Sequence, residues 1–331
     1  MSRTAVSPDR PGAASGMLAE WPHERHRPIG APALLISAEP TAAAPGRSAN
    51  APGSRAVCTV IVSTDPAAET PLLVAAIRDE MSDRPWQGPD RHWRRYPDLT
   101  GGLDVRAGGT WLAARTGPEP RLGAVLNGRL APDPARPRRP VFDTTVPAGV
   151  ERRSRGELPL LAATDPKRGA AAGHDDLTCY DPFHLLAADP AGAVLLSWDG
   201  TRPHEQVLPV GLSVVVNSGL DAAEPRALRH GPVFAAARPD PGARERAAAT
   251  RPEEIWGDWV RLLDEAAGTG LRTAGTGSRP DDPAALLTRV ELGDGRVWSS
   301  NSITLLAGSA DGVRYAFNGT PGDPGAWRMV A

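Results

Sequence analysis

The chain has 331 residues, of which 37 are basic and 39 acidic, and its formal net charge is -2. This balance excludes the basic surface expected of a protein that binds nucleic acid or anionic membranes. Its two cysteines cannot build a disulfide framework, and no apolar run approaches the roughly 18–20 residues of a membrane span. Residues 29–37 are apolar but interrupted by Pro32 and too few for a secretion signal, so we expect a cytoplasmic protein.

Residues 1–56 differ in composition from the rest of the chain. Ala, Pro, Gly, Ser and Arg dominate this segment, and no helical or strand period persists in it. Such a segment buries too little apolar surface to offset the entropy cost of ordering it. We therefore predict that residues 1–56 are disordered and that residues 57–331 form one domain.

Beyond residue 57, short apolar runs rich in β-branched residues predict a series of strands. These runs cover residues 58–63, 72–77, 110–114, 122–127, 183–188, 193–198, 212–217, 286–292, 302–307 and 313–317. Asp199-Gly200, Asp294-Gly295 and Asp311-Gly312 are typical of hairpin turns.

Helices are predicted at two places. One covers residues 156–163 with Pro159 in its first turn. The other begins at Pro252, which two acidic residues follow. Its apolar stripe comprises Ile255, Trp256, Trp259, Leu262 and Leu263. Many strands with few helices predict a layered α+β fold, in which sheet packs on sheet and helices lie outside.

Cys58 opens the first predicted strand, and two interpretations of it are open. A cysteine there is commonly a small core residue. It is a candidate nucleophile if it begins the mature chain, because its α-amine would have a pKa of about 7.7–8.0 and would act as the general base. An internal Cys58 carries an amide nitrogen, which cannot accept the proton.

Arg78 and Asp79 follow the second predicted strand, and two asparagines end later ones. An extended chain would direct Arg78 and Asp79 to opposite faces, whereas a turn at the strand end would direct both inward. Arg78 would hold the thiolate or a substrate carbonyl, and Asp79 would orient the α-amine; the alternative is a solvated strand end. Asn127 and Asn217 are candidate oxyanion donors, or simple turn residues.

The folded region offers no pattern for a metal. His92, His174, His184 and His230 form no metal-spaced pair, and Cys179 has no cysteine or histidine at zinc-ligand spacing. We expect no metal site. A phosphate-binding glycine loop and a Gly-x-Ser-x-Gly nucleophile turn are also missing from the sequence.

Together these residues resemble the NRDE family, which is named for an Asn-Arg-Asp-Glu motif and includes the eukaryotic transport and Golgi organisation proteins. The family pattern begins Met-Cys, and the motif, a Ser-Arg-Pro element and a Gly-Gly-Thr-Trp-Leu element follow in that order. The matching positions in this chain are Cys58, 77–80, 84–85, 108–112, 127, 154–158, 183–189, 211–213, 217 and 300–303.

The resemblance implies the four-layer αββα sandwich of N-terminal-nucleophile hydrolases, similar to the choloylglycine and penicillin V acylase group. It implies that Cys58 is nucleophile and amine base, that Arg78 and Asp79 support it, and that Asn127 and Asn217 lie on the oxyanion side. The implied activity is hydrolysis of a small-molecule linear amide or acyl bond, a carbon–nitrogen bond other than a peptide bond, without a cofactor.

The sequence departs from the family pattern in three ways, and the loss of the motif asparagine and of the late arginine favours an alternative. Ile77 replaces the motif asparagine, Ser299 replaces a late arginine, and Cys58 is not the second residue. The alternative is a non-catalytic protein that binds or carries haem or an acyl-lipid, with His184 or His92 at the haem. A third interpretation is a degenerate family member with neither activity.

Val57 occupies the position of the family's methionine. All basic residues except Lys167 are arginine, and the chain has 35 glycines and 35 prolines, which indicates a GC-rich coding sequence of bacterial type. In such a genome GTG is a common start codon that reads as valine when treated as internal. We hypothesise that translation begins at Val57, that residues 1–56 are a gene-model artefact, and that removal of the initiator methionine exposes Cys58. The alternative is that residues 1–56 are genuine, followed either by proteolysis before Cys58 or by an inactive site.

Overall fold

The structure is a computed structural model that describes residues 58–128, 146–165, 177–270, 282–291 and 295–331. The segment predicted to be disordered, residues 1–56, lies outside the described residues. No helix in these ranges has the length and apolar character needed to cross a bilayer.

The described strands and helices agree with an α+β chain. The strands are β1 (Thr59–Thr64), β2 (Leu72–Met81), β3 (Trp86–Asp90), β4 (Leu99–Asp104), β5 (Leu112–Arg115), β6 (Arg121–Asn127), β7 (Phe183–Asp189), β8 (Gly192–Trp198), β9 (Pro203–Val207), β10 (Gly211–Val216), β11 (Gly219–Leu220), β12 (Arg289–Glu291), β13 (Val297–Ser309), β14 (Gly312–Asn318) and β15 (Trp327–Met329). The α-helices are α1 (Leu158–Thr164), α2 (Pro225–Ala236), α3 (Ala243–Ala248), α4 (Glu253–Trp256) and α5 (Asp258–Gly270).

These strands form two antiparallel sheets. The first has the order β11-β10-β1-β2-β13-β14-β15, and β12 also pairs with β13. The second is a meander that follows the chain from β3 to β9. In the first sheet β1 lies between β2 and β10, so that Thr59 faces Ile77 on one side and Val216 on the other. The start of β1 is therefore enclosed by two neighbouring strands.

Alternating side chains of the first sheet enter two different cores. Val60 and Val62 pack between the two sheets, whereas Ile61 packs against the helical layer that includes Trp256 and Trp259. Helix α1 covers the outer face of the second sheet, where its buried residues meet Phe183 and Leu185 of β7. The layers thus run helix, sheet, sheet, helix, and the predicted αββα sandwich is confirmed.

Several elements differ from the prediction. Strand β2 continues past its apolar run through Arg78 to Met81. Strands β3, β4, β9 and β15 were not predicted, because glycine, proline and charged residues interrupt their apolar pattern. Helices α2 and α3 were also missed. The helix predicted from Pro252 is two helices, since Gly257 between them has a φ of 49° that ends α4.

Candidate functional site

The site lies at the end of the first sheet where β1 begins. Cys58 directly precedes β1, and continuing the register beyond Thr59 places it beside Arg78 on β2 and beside Asn217 after β10. On the far side of β2, Arg78 is paired with Ser302 of β13. We call the four residues Asn217, Cys58, Arg78 and Ser302 the cysteine row, and they belong to neighbouring strands.

Cys58 is partly buried and packs against the core between the two sheets. Its Sγ donates a hydrogen bond to the main-chain oxygen of Asp79 at 3.4 Å. Burial, followed by the charge of Asp79, raises the pKa of the Cys58 thiol to about 12, while Arg78 opposes the rise. The thiol is therefore protonated at neutral pH and needs a base before it can attack a carbonyl.

Arg78 shares the inter-sheet face with Cys58. Its side chain is 5% exposed, and its Cζ lies 4.5 Å from the centre of the Trp111 ring, a cation–π contact. Nη2 lies 3.6 Å from Glu80 Oε2. Nη1 is buried and has no hydrogen-bond partner in the part of the chain that the structure describes. Burial lowers the pKa of Arg78, and Glu80 opposes this effect.

Asp79 directs its carboxylate to the opposite face of the sheet, toward the helical layer. Its Oδ1 accepts a hydrogen bond from Ser300 Oγ at 2.6 Å. Its Oδ2 lies 3.6 Å from Nη1 of Arg226 on α2, and the same Nη1 donates to Thr59 Oγ1 at 2.6 Å. The turn that would have directed Arg78 and Asp79 both inward does not form, because β2 remains extended through both residues.

A β-bulge in β13 supplies partners to both faces of β2. Ser300 is paired with Asp79 and Ser302 with Arg78, so Asn301 is the extra residue of the bulge. Asn301 Nδ2 donates to the main-chain oxygens of Glu80 and Met81 at 3.3 and 3.4 Å. Ser300 therefore reaches the carboxylate on the helical side, while Ser302 lies on the inter-sheet side with Arg78.

Asn217 connects the cysteine row to the second sheet. Its main-chain oxygen lies 3.2 Å from His184 Nε2, and His184 Nδ1 lies 2.7 Å from Ser197 Oγ. Burial lowers the pKa of His184, so the neutral ring donates from Nε2 and accepts from the serine at Nδ1. The side-chain Oδ1 of Asn217 is buried and has no hydrogen-bond partner among the described residues.

Asn127 lies on the second sheet and is not part of the cysteine row. It ends β6 of the second sheet opposite Phe183, and its side chain is exposed. No hydrogen bond or ion pair within the described ranges links Asn127 to the other four predicted site residues. The structure brings together Cys58, Arg78, the main chain of Asp79, and Asn217 in the first sheet, whereas Asn127 ends a strand of the second sheet.

Arg155 is a residue to which sequence reasoning gave no role, and it lies close to the end of the strand that carries Asn127. It is half-buried, and its Nη1 donates at 2.8 Å to Pro182 O, which also accepts from Gly128 N next to Asn127. Burial lowers the pKa of Arg155, and the carboxylate of Asp181 opposes this shift. Its signal was the Ser-Arg-Gly-Glu-Leu element at residues 154–158, which resembled the family pattern.

Two glycines hold Arg155 next to the Trp111 segment. Thr110 N donates to Gly156 O at 2.8 Å. A Cβ on Gly109 would lie only 2.5 Å from the carbonyl carbon and oxygen of Gly156, so the two backbones can approach this closely only without a side chain. The Gly-Gly-Thr-Trp element and the Arg155 element therefore pack directly against each other.

The chain matches a known protein family and is similar in structure to a known amidase. A family model described as "Transport and Golgi organisation 2" matches residues 57–239. A search of curated proteins finds no match. Among solved structures, the chain is similar to the Caenorhabditis elegans N-acylethanolamine-hydrolyzing acid amidase ortholog, with 10% identity and a TM-score of 0.33 over 83% of this chain and 100% of that one. A score this low adds nothing to the layer order described above.

Proposed function

The chain belongs to the Transport and Golgi organisation 2 family, and we propose that it is an amidohydrolase whose nucleophile is Cys58 once that residue begins the chain. Its substrate is a small molecule with a linear amide or related acyl bond. The observation that supports the proposal is the position of Cys58 in the cysteine row, between the buried Arg78 and Asn217, whose amide oxygen is buried.

The protonated thiol explains why the α-amine is needed. A thiol with a pKa of about 12 supplies almost no thiolate at neutral pH. His184, the histidine nearest to the row by its bond to Asn217, already uses both ring nitrogens. An α-amine on Cys58 itself, with a pKa of about 7.7–8.0, supplies a base on the same residue.

Asn217 offers a place for that amine. Its buried Oδ1 lacks a partner among the described residues, and leaving a buried acceptor unsatisfied costs about 1–3 kcal/mol. An α-ammonium on Cys58, next to it in the register, would donate to this oxygen. The side-chain nitrogen of Asn217 would donate to the oxyanion, and we propose Asn127 as a second oxyanion donor from the other sheet.

The reaction then has two halves. The α-amine takes the thiol proton while sulfur bonds to the substrate carbonyl carbon, and the tetrahedral intermediate expels the amine, which takes the proton back from the α-ammonium. A thioester remains on Cys58. Water attacks this thioester with the α-amine as base, and the products are a carboxylic acid and the free thiol. Arg78 stabilises the negative charge beside the sulfur, and Asp79 fixes the main-chain oxygen that contacts Sγ.

The test exposes Cys58 within the full chain. Residues 54–57 are replaced by Ile-Glu-Gly-Arg, after which factor Xa cleavage leaves Cys58 as the first residue. A panel of N-acyl aminomethylcoumarin amides is assayed before and after cleavage of the same sample. Because the base is created by the cut, we expect hydrolysis to rise by about a hundredfold or more, with a rate that increases as pH passes the α-amine pKa.

The matched controls are Cys58→Ser and Cys58→Ala in the same cleavable chain. The alanine variant should be inactive, and the covalent thioester should appear by mass spectrometry only in the chain that retains Cys58. Hydrolysis that is equal before and after cleavage, or that survives Cys58→Ala, would falsify the proposal.

A second candidate is a non-catalytic carrier of haem or an acyl-lipid. Ser299, in the place of the family's arginine, bonds locally to Ser82 and Asn301 and supplies no cation to a substrate. For haem, the test is a Soret titration of the full chain with His184→Ala, His92→Ala and, as a control, the exposed His204→Ala. A saturable shift weakened only by the first or second variant would favour a carrier, and an unsaturable titration would exclude haem.

A further inference from the structure

Among the described residues, no carboxylate forms a hydrogen bond with the buried cation of Arg78. Its side chain is 5% exposed, and the carboxylate oxygen that pairs with it, on Glu80, lies 3.6 Å from Nη2. Burying a charge costs several kcal/mol unless a well-placed partner offsets it. An arginine in this state therefore calls for an explanation beyond the stability of the fold.

Glu80 cannot be that partner alone, because it is shared. Its Oε2 lies 3.6 Å from Arg78 and 3.7 Å from Arg84 Nε. Arg84 has a second and closer carboxylate, since its Nε donates to Asp104 Oδ2 at 2.7 Å. Two arginines and two carboxylates are thus arranged so that the partly exposed Arg84 has a close carboxylate partner and the buried Arg78 has none as close among the described residues.

A second unpartnered polar atom lies next to Arg78. Ser302 is paired with Arg78 across β2 and β13, and its side chain is 1% exposed. Val74 and Leu306, paired further along the same two strands, both pack between the sheets; Arg78 and Ser302 therefore lie on that face as well. Ser302 Oγ, like Arg78 Nη1, is buried without a partner among the described residues.

These two atoms have the chemistry of an anion subsite. Arg78 Nη1 and Ser302 Oγ are both donors, and two donors match the two oxygens of a carboxylate. Trp111 covers the face of the guanidinium, so a ligand would have to approach its edge.

We propose that the cysteine row recognises an amide substrate that carries a carboxylate close to the scissile bond, held by Arg78 and Ser302. This inference rests on the proposed function, because only an amidohydrolase would have this ligand as its substrate. Binding of the carboxylate itself does not require hydrolysis. The carboxylate lies either on the acyl side or on the amine side of the amide, and the test distinguishes the two.

The test measures binding of two probe pairs by calorimetry, with both the full chain and the chain cleaved before Cys58. Hippurate carries its carboxylate on the amine side, and N-phenylsuccinamate carries it on the acyl side. Each is compared with its methyl ester, which keeps the amide and removes the charge. At least one acid should bind about tenfold or more tightly than its ester, as expected for a charge-assisted hydrogen bond.

Variants locate the effect. Arg78→Gln should remove the preference for the acid, and Arg78→Lys should keep part of it because the charge remains but the planar donor pair is lost. Ser302→Ala should weaken acid binding several-fold and leave ester binding unchanged. Arg115→Gln, which removes an arginine of β5 that pairs with Asp98 and Glu119, is the matched control and should change neither. Circular dichroism checks that each variant is folded.

The outcomes separate this inference from the proposed function. Equal binding of both acids and both esters, or an acid preference that survives Arg78→Gln, overturns the carboxylate site whatever the enzyme assay gives. Acid-selective binding without any hydrolysis after cleavage supports the site and removes the proposed activity. Hydrolysis of neutral and anionic amides at equal kcat/KM, with no acid preference in binding, supports the proposed activity and overturns the carboxylate site.

Discussion

The ion pair behind the cysteine row should stabilise the fold strongly, and Arg226→Met tests this. Arg226 is 2% exposed and Asp79 is also buried. Arg226 lies 3.6 Å from the Asp79 carboxylate and donates to Thr59 at 2.6 Å. Methionine keeps much of the volume of the side chain but removes its charge and its donors, so a buried carboxylate loses its cation.

The expected loss follows from that geometry. Removing one partner of a buried ion pair costs about 3–5 kcal/mol, and the free energy of unfolding should fall by that amount. Urea denaturation followed by circular dichroism measures the change, with the requirement that the m-value stays constant. Arg229→Met on the same helix is the matched control. Arg229 is half-exposed and pairs with Asp282, and loss of an exposed pair costs about 1 kcal/mol or less.

A double-mutant cycle shows whether the ion pair is the cause. If Arg226 acts by compensating Asp79, adding Asp79→Asn to Arg226→Met should recover part of the loss, with a coupling energy of about 2 kcal/mol or more. The reasoning fails if Arg226→Met costs no more than Arg229→Met. It also fails if the two changes at Asp79 and Arg226 are additive.

Three further predictions use other parts of the site. Alkylation of Cys58 by iodoacetamide in the full chain, followed by mass spectrometry, should be slow at pH 8, and its rate should increase as the pH approaches the raised pKa of about 12. Because the ordinary pKa of the thiol is 9.0, the free energy of unfolding should also fall as the pH rises above 9.0. Alkylation at the rate of a free thiol would refute this. Gly109→Ala should destabilise the fold by about 1–3 kcal/mol because its Cβ would meet Gly156, whereas Gly117→Ala, with open space around it, should not; thermal unfolding compares them. His184 should titrate below its ordinary pKa by NMR and carry its proton on Nε2, and the stability it contributes should be lost as pH falls below about 6.5; a protonated ring at pH 6.5 would contradict this.

The sequence predicted the layers and the family well, because both depend on local patterns. Runs of β-branched residues marked β1, β7, β8 and β14 to within a residue or two, and the order of short motifs pointed to the family that the comparison confirms. Edge strands such as β3 were missed because Gly88 and Pro89 interrupt their pattern.

The candidate site was predicted only in part, for a physical reason. Strand alternation predicts that Arg78 and Asp79 face opposite sides of the sheet if the chain is extended there. The sequence did not show where β2 ends, so it did not decide between an extended chain and a turn at these two residues. The partner of Asp79 is Arg226, far along the chain on a helix with little apolar pattern. Almost all basic residues of this chain are arginine, so nothing in the local sequence marks Arg226 as the one that pairs with Asp79.

The bulge at Asn301 changes the phase of β13. Ser300 and Ser302 are both even-numbered, and in an uninterrupted strand they would share a face; the extra residue lets one serve the carboxylate of Asp79 and the other the guanidinium of Arg78. Deleting Asn301 would make Ser300 and Ser302 neighbours in the chain, and the ordinary alternation of a strand would still direct them to opposite faces. The deletion would instead remove the amide that donates to the main-chain oxygens of Glu80 and Met81. The two chemistries are kept apart by pairing one residue of β2 against two of β13, an arrangement that an unbulged strand could reproduce only by being one residue shorter.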